Sequence, residues 1–402
     1  MVQRVAVAGV VVLSSILAAR VLGAAMYAEL AFFVFFTKAL LLGNLGSISG
    51  YLVRNYALES AVPAAEVDKF HVAYTQHLIA LAVFCVALGI WVRPVYAYAA
   101  LGFAILIPFF VLEPSARIQR RFYISLIPDS ILSLTVVGGT ATYALMNHFG
   151  LAPWPVMWIV VGWMLTLSMC VAWYLWPSLR SLKLRPQQAD WRFYKTILTL
   201  GMPRFLATCT FTLFLMLDRV FLEHFYDRSE LGVYMLAFQL ATGSGLLLAA
   251  QNMVSGIDIG EAIRKSEVSP ALVRRLVKRS LALGGFGLFG VTVFSYLLEH
   301  YFLSGYAGLA HTTTVLSLGL IAFLAAGNLT DLAFYRASHR SLIIGLVLAR
   351  AAGLVYNVLS VSVFQGTVIS LATFSGVILV LYACYAFWYT QKLVKPRPRS
   401  TI

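Results

Sequence analysis

Carboxylates are scarce in this chain: 16 Asp and Glu among 402 residues, against 30 Lys and Arg, with charged residues only 11% of the total. That leaves too little polar surface to cover a soluble globule of this length. Cysteine is sparse too, and Cys85, Cys170, Cys209 and Cys384 all fall inside apolar runs. They lack both metal-ligand spacing and an extracellular pairing pattern, so they are expected to be small core residues. No G-x-x-x-x-G-K-[ST] phosphate loop occurs, so nucleotide hydrolysis would have to come from another chain. One G-x-G-x-x-G is present at Gly285, Gly287 and Gly290. It lies within an apolar run with no strand before it, which predicts close helix packing. The histidines are scattered without ligand spacing, and neither a metal, another cofactor nor a catalytic role is expected.

What the chain has instead is oil: 60% hydrophobic residues and a mean hydropathy of +0.84. Long apolar segments cover 5–22, 28–50, 73–91, 95–112, 124–146, 154–176, 196–217, 231–254, 280–298, 309–330, 341–364 and 367–390. Each can cross about 30 Å of hydrocarbon as a helix rising 1.5 Å per residue. The predicted fold is an all-α polytopic membrane protein with about twelve spans. The first segment resembles a signal peptide only superficially, because Arg20 interrupts the cleavage region and another span follows; it is read as a retained helix. The connecting stretches are too short to bury a core of their own. Most cations recur at every second gap, for example Arg117, Arg120 and Arg121, then Arg180 to Lys195, then Arg264 to Arg279. By the positive-inside rule those gaps and both termini are cytoplasmic. The net charge of +14 is therefore an orientation and headgroup-anchoring signal, and nucleic acid is not an expected partner.

Three cations fall inside predicted spans: Lys38, Arg204 and Arg350. Lys38 sits near the middle of the second segment, too deep to reach headgroups comfortably. Arg350, Gly353, Asn357 and Ser360 share one helical face, and Arg204, Thr208 and Thr212 share another beside Gly201 and Pro203. Such stripes fit either a wet wall or interhelical hydrogen bonds. With every acidic residue placed near a predicted interface, the deep charges are all positive, which favours a diphosphate or acidic sugar over a cationic drug. Lys38, Arg204, Arg350 and Asn357 are the candidate substrate-binding residues. Arg20, Asp218 and Arg219 are candidates for a periplasmic gate, with interfacial anchoring as the plainer reading.

Arg20-Val21-Leu22-Gly23 followed by Tyr27 is echoed by Asp218-Arg219 followed by Leu231-Gly232-Val233-Tyr234. A repeat six helices on gives two parallel halves, 1–176 and 196–402, joined by a basic connector, 177–195, with a cavity expected between them. These residues, with Ser14-Ser15 and Gly201-Met202-Pro203, resemble the polysaccharide flippases of the multidrug/oligosaccharidyl-lipid/polysaccharide exporter superfamily, which include the O-antigen transporters. The resemblance implies a non-enzymatic flippase carrying an undecaprenyl-pyrophosphate-linked oligosaccharide across the bacterial inner membrane by alternating access. It also implies membrane lipids, and a polysaccharide polymerase, as partners. A multidrug extruder of the same fold and a membrane glycosyltransferase or polymerase remain as alternatives.

Overall fold

A computed structural model describes residues 2–43, 64–92, 94–118, 123–151, 155–181, 218–245, 270–335, 340–362 and 366–394, with isolated positions between them. Among these residues the chain is all helix and turn. The helices are α1 (Val2–Gly43), α2 (Ala64–Val92), α3 (Pro94–Ile118), α4 (Ile127–His148), α5 (Val156–Tyr174), the short α6 (Trp176–Ser181), α7 (Arg228–Ser244), α8 (Pro270–Leu297), α9 (Leu309–Tyr335), α10 (Arg340–Ser362) and α11 (Val368–Val394). Among the described residues, eight helical stretches are long and apolar enough to cross a membrane. A helix lies over every segment read from the sequence except 196–217, most of which is outside the described residues.

The first two predicted segments differ from expectation in how they join. They form one run, α1, interrupted only at Gly23, whose φ of 73° and ψ of 169° break the helix. Only glycine tolerates that backbone without strain, so one residue takes the place of the expected loop.

The chain forms two compact units. One comprises Val2–Thr212 and Arg228–Leu236. In it α1 packs on α3 and α4, α2 on α3, and α4 on α5. Its core is aromatic, with Phe33, Phe70, Tyr74, Phe103 and Phe109 fully buried. Thr37, also buried, donates to the Ala99 carbonyl at 3.3 Å and ties α1 to α3.

The other unit comprises Leu213–Asp227 and Ala237–Ile402, apart from Met1. Its strongest packing is α9 on α11, where small residues allow close backbone approach. Of the predicted glycine motif, Gly287 does pack closely, with its Cα face against the Ser244 carbonyl, while Gly285 and Gly290 have open space before them. α8 ends in a π turn, Leu298–Phe302. There Glu299 accepts hydrogen bonds from the Gly308 and Ala310 amides at 2.8 and 2.7 Å, capping α9. Removing two amide partners at a helix start costs about 1–2 kcal/mol. Glu299→Ala should therefore lower the unfolding temperature measured in detergent, and an unchanged temperature would show the cap to be dispensable.

The cysteines correct one expectation. Cys170 and Cys384 are exposed on outer helix faces and Cys85 is half-buried, so they are not core residues; Cys209 lies outside the described residues. In an apolar span a small thiol fits a lipid face as well as a core, and hydropathy alone does not separate the two.

Candidate functional site

In α10 burial follows a single seam. Leu342, Leu346, Arg350, Gly353, Asn357 and Ser360 are buried, while Ile344, Val347, Leu348, Val355, Val358 and Leu359 are exposed. The seam is apolar towards Arg340 and polar towards Ser362, as the i, i+3, i+7, i+10 spacing predicted. At its polar end Asn357 Nδ2 donates to Asp218 Oδ1 at 2.7 Å, and the Ser375 hydroxyl of α11 donates to Asp218 Oδ2. Asp218 is only 2% exposed and Arg219 is 0% exposed. The Arg219 guanidinium lies 3.8 Å from the centre of the Phe238 ring, a cation–π contact in a desolvated setting.

Asp218 and Arg219, expected near an interface with anchoring as the plainer reading, are both buried inside the protein. What sequence position could not give is that α10 and α11 supply the partners of the Asp218 carboxylate. For Asn357 the interhelical bond is realised, and its Oδ1 and the Ser360 hydroxyl are buried without a hydrogen-bond partner among the described residues. The seam thus retains polar capacity. Ser375, which completes the carboxylate's partners, was missed because one small hydroxyl in an apolar span carries no periodic signal.

The other unit holds the second group. Lys38 Nζ is 2.8 Å from Asp129 Oδ1, with side-chain exposures of 33% and 46%. Asp129 lies in the first turn of α4, which sets the Lys38 ammonium beside the start of that helix. The reading that the deep cations have no acidic companion is corrected for Lys38 and for the unit holding Asp218. A carboxylate in the first turn of a helix suits the helix dipole and draws no attention in sequence.

The remaining candidates fall apart from these groups. Arg20 is exposed on α1. Glu29 pairs with Arg228 within the same unit. Arg204, with Thr208, Thr212, Gly201 and Pro203, lies outside the described residues. In the connector, Asp190 accepts from the Arg192 and Phe193 amides at 2.9 and 3.2 Å and pairs with Lys69 at 3.5 Å. The Phe193 amide foremost, with the Arg192 amide and Lys69, holds the Asp190 carboxyl below the ordinary carboxylate range. That anchor is present above the unfolded pKa and is lost as pH falls through the lowered one.

Chemically, these arrangements set charged and hydrogen-bonding side chains beside one another; none of them pairs a nucleophile with a base. No family model and no curated protein matches the sequence. Solved structures do match in fold. An inward-facing multidrug resistance MATE family transporter of the MOP superfamily shares 13% identity over 96% of this chain and 94% of its own, with a TM-score of 0.60. The Vibrio cholerae MATE transporter VcmN in its bent form shares 13% identity over 98% of each chain, at a TM-score of 0.60. A MOP superfamily transporter from Pyrococcus furiosus, in which reverse polarity of the binding pocket suggests a different function, shares 12% identity over 97% and 96% of the two chains, at a TM-score of 0.54. The chain is a multi-pass membrane protein with the fold of these transporters.

Proposed function

We propose that this protein is a transporter of an anionic lipid-linked substrate, an undecaprenyl-pyrophosphate-linked oligosaccharide such as an O-antigen or exopolysaccharide repeat unit. It carries that substrate across the bacterial inner membrane by alternating access, with both termini cytoplasmic. The observation that carries this reading is the balance of buried ionisable groups in the unit holding α8–α11: among its described residues these are Arg219, Arg350 and Asp218, two basic side chains to one acidic. A desolvated cationic excess attracts phosphate and acidic sugar and repels cationic drugs. The flippase-like motifs around Arg20 and Asp218 agree with it. The polar half of the α10 seam, with its open Asn357 and Ser360 oxygens, offers hydrogen bonds to sugar hydroxyls.

A second reading, a multidrug extruder, is favoured by two features: Asp218 is a buried carboxylate, and two of the fold neighbours are multidrug resistance transporters. Complementation separates the two. In a strain lacking its O-unit flippase, the wild-type chain should restore surface polysaccharide. Lys38→Ala, Arg204→Ala and Arg350→Ala at matched expression should compare the three cations, with loss of a needed one reducing restoration by about tenfold or more. Wild-type protein that restores none, yet raises resistance to cationic dyes, would establish the extruder instead.

A further inference from the structure

The Lys38–Asp129 pair is set in a frame that does not need it. On the α1 side Phe33, Phe36 and Thr37 are buried, and Thr37 bonds the Ala99 carbonyl. On the α4 side the Ser133 hydroxyl donates to the Asp129 carbonyl at 2.7 Å, and Ser133 is buried. Both backbones are therefore held by packing, while the two charged ends are a third to a half exposed. Ions exposed to that degree in a membrane protein meet water or headgroups, since hydrocarbon contact is too costly. A pair so exposed adds little stability. Lysine, moreover, is a compact charge with three donors on a flexible stem, able to change partner without backbone movement.

From this we propose that Lys38 is a receptor for a phosphate group and that Asp129 is its built-in competitor, occupying the ammonium until a phosphate-bearing ligand displaces the carboxylate. The proposal rests on the anionic-substrate reading above and adds a specificity device to it. A carboxylate offers one negative charge, whereas a pyrophosphate esterified at both ends still offers two, spread over four non-bridging acceptor oxygens. The displaced Asp129 stays exposed enough to be solvated, so exchange leaves no buried charge unpaired. Monoanionic or neutral ligands fail to displace it, and Asp129 therefore acts as a threshold that admits only strongly anionic headgroups.

The test uses the full chain in phosphatidylcholine nanodiscs, with farnesyl diphosphate as the probe and calorimetry as the readout. Asp129→Asn should bind the probe about five- to tenfold more tightly than wild type, because the competitor is gone. Lys38→Met and the double variant Lys38→Met/Asp129→Asn should both bind weakly. Equal affinity of Asp129→Asn and wild type, tight binding by the double variant, or no binding by any form overturns the proposal. Adding phosphatidylglycerol, a monoanion, tests the threshold: if it abolishes the difference between wild type and Asp129→Asn, an ordinary lipid headgroup occupies Lys38 and the threshold is overturned; if the difference survives, the phosphate belongs to a diphosphate lipid. Complementation reports on the function separately. A binding gain in Asp129→Asn together with failed complementation by wild type keeps the receptor and removes the oligosaccharide reading. Successful complementation without a binding difference does the reverse.

Discussion

Asp218→Ala should be the most damaging single substitution among the described polar residues. The change removes the shared acceptor of Asn357 Nδ2 and the Ser375 hydroxyl and leaves two buried donors on different helices without it. It also removes the buried carboxyl group next in sequence to Arg219, whose guanidinium is wholly out of solvent. Breaking a buried charged network by deleting one member costs about 3–5 kcal/mol, because what is left is desolvated and uncompensated. The apparent unfolding temperature in detergent is expected to fall by about 5–10 °C. Asp218→Asn, which keeps the shape and one acceptor oxygen, should fall between. If Asp218→Ala melts with wild type, the network is not structural and Asp218 must be assigned to transport alone. The two possibilities are distinguishable at matched folded protein, where a structural role leaves residual transport per molecule unchanged.

Gly376→Val should be nearly as severe, for a steric reason. A Cβ at Gly376 would meet the Val315 carbonyl oxygen at 2.7 Å, and one at Gly319 would meet the Gly376 Cα at the same distance. Backbone atoms cannot swing aside as a side chain does, so α9 and α11 must separate. Overpacking of this kind costs about 1–3 kcal/mol, with valine at the upper end. The neighbouring residue makes the effect more than a loss of packing: Ser375 is held against Asp218 by the same helix, so displacing α11 also loosens the carboxylate's second partner. Gly376→Val and Asp218→Ala should consequently be less than additive when combined, as expected for residues acting on one network. Full additivity in thermal unfolding would show that the helix contact and the carboxylate are energetically separate.

Periodicity made some of this legible in sequence and contact made the rest invisible. The α10 seam could be read because Arg350, Gly353, Asn357 and Ser360 stand out at helical spacing against an apolar background, and all four are buried. The all-helical layout followed from long apolar runs in the same way. Lys38 was recognised as unusual, but its partner Asp129 lies on another helix, where nothing local announces the pairing. Asp218 and Arg219 were noticed as a landmark and misjudged in environment, because nearness to a span's end says nothing about which helices close over it. Arg20 shows the limit of the repeat argument: it occupies the matching landmark of the first half, yet it is exposed where Arg219 is wholly buried. Shared motif and shared setting are different properties.

The break at Gly23 has a further consequence for how the chain tolerates change in length. Where two helices are joined by a loop, an added or lost residue is absorbed as slack. Here a single glycine separates two continuous helical arms, so an insertion shifts the second arm as a screw turns, by about 100° of rotation and 1.5 Å of advance per residue. Lys38 would then point a quarter-turn or more away from Asp129, and the buried aromatic face around Phe33 would turn with it. The junction works as a phase lock, making the chemistry near one end of α1 sensitive to bookkeeping errors far from it.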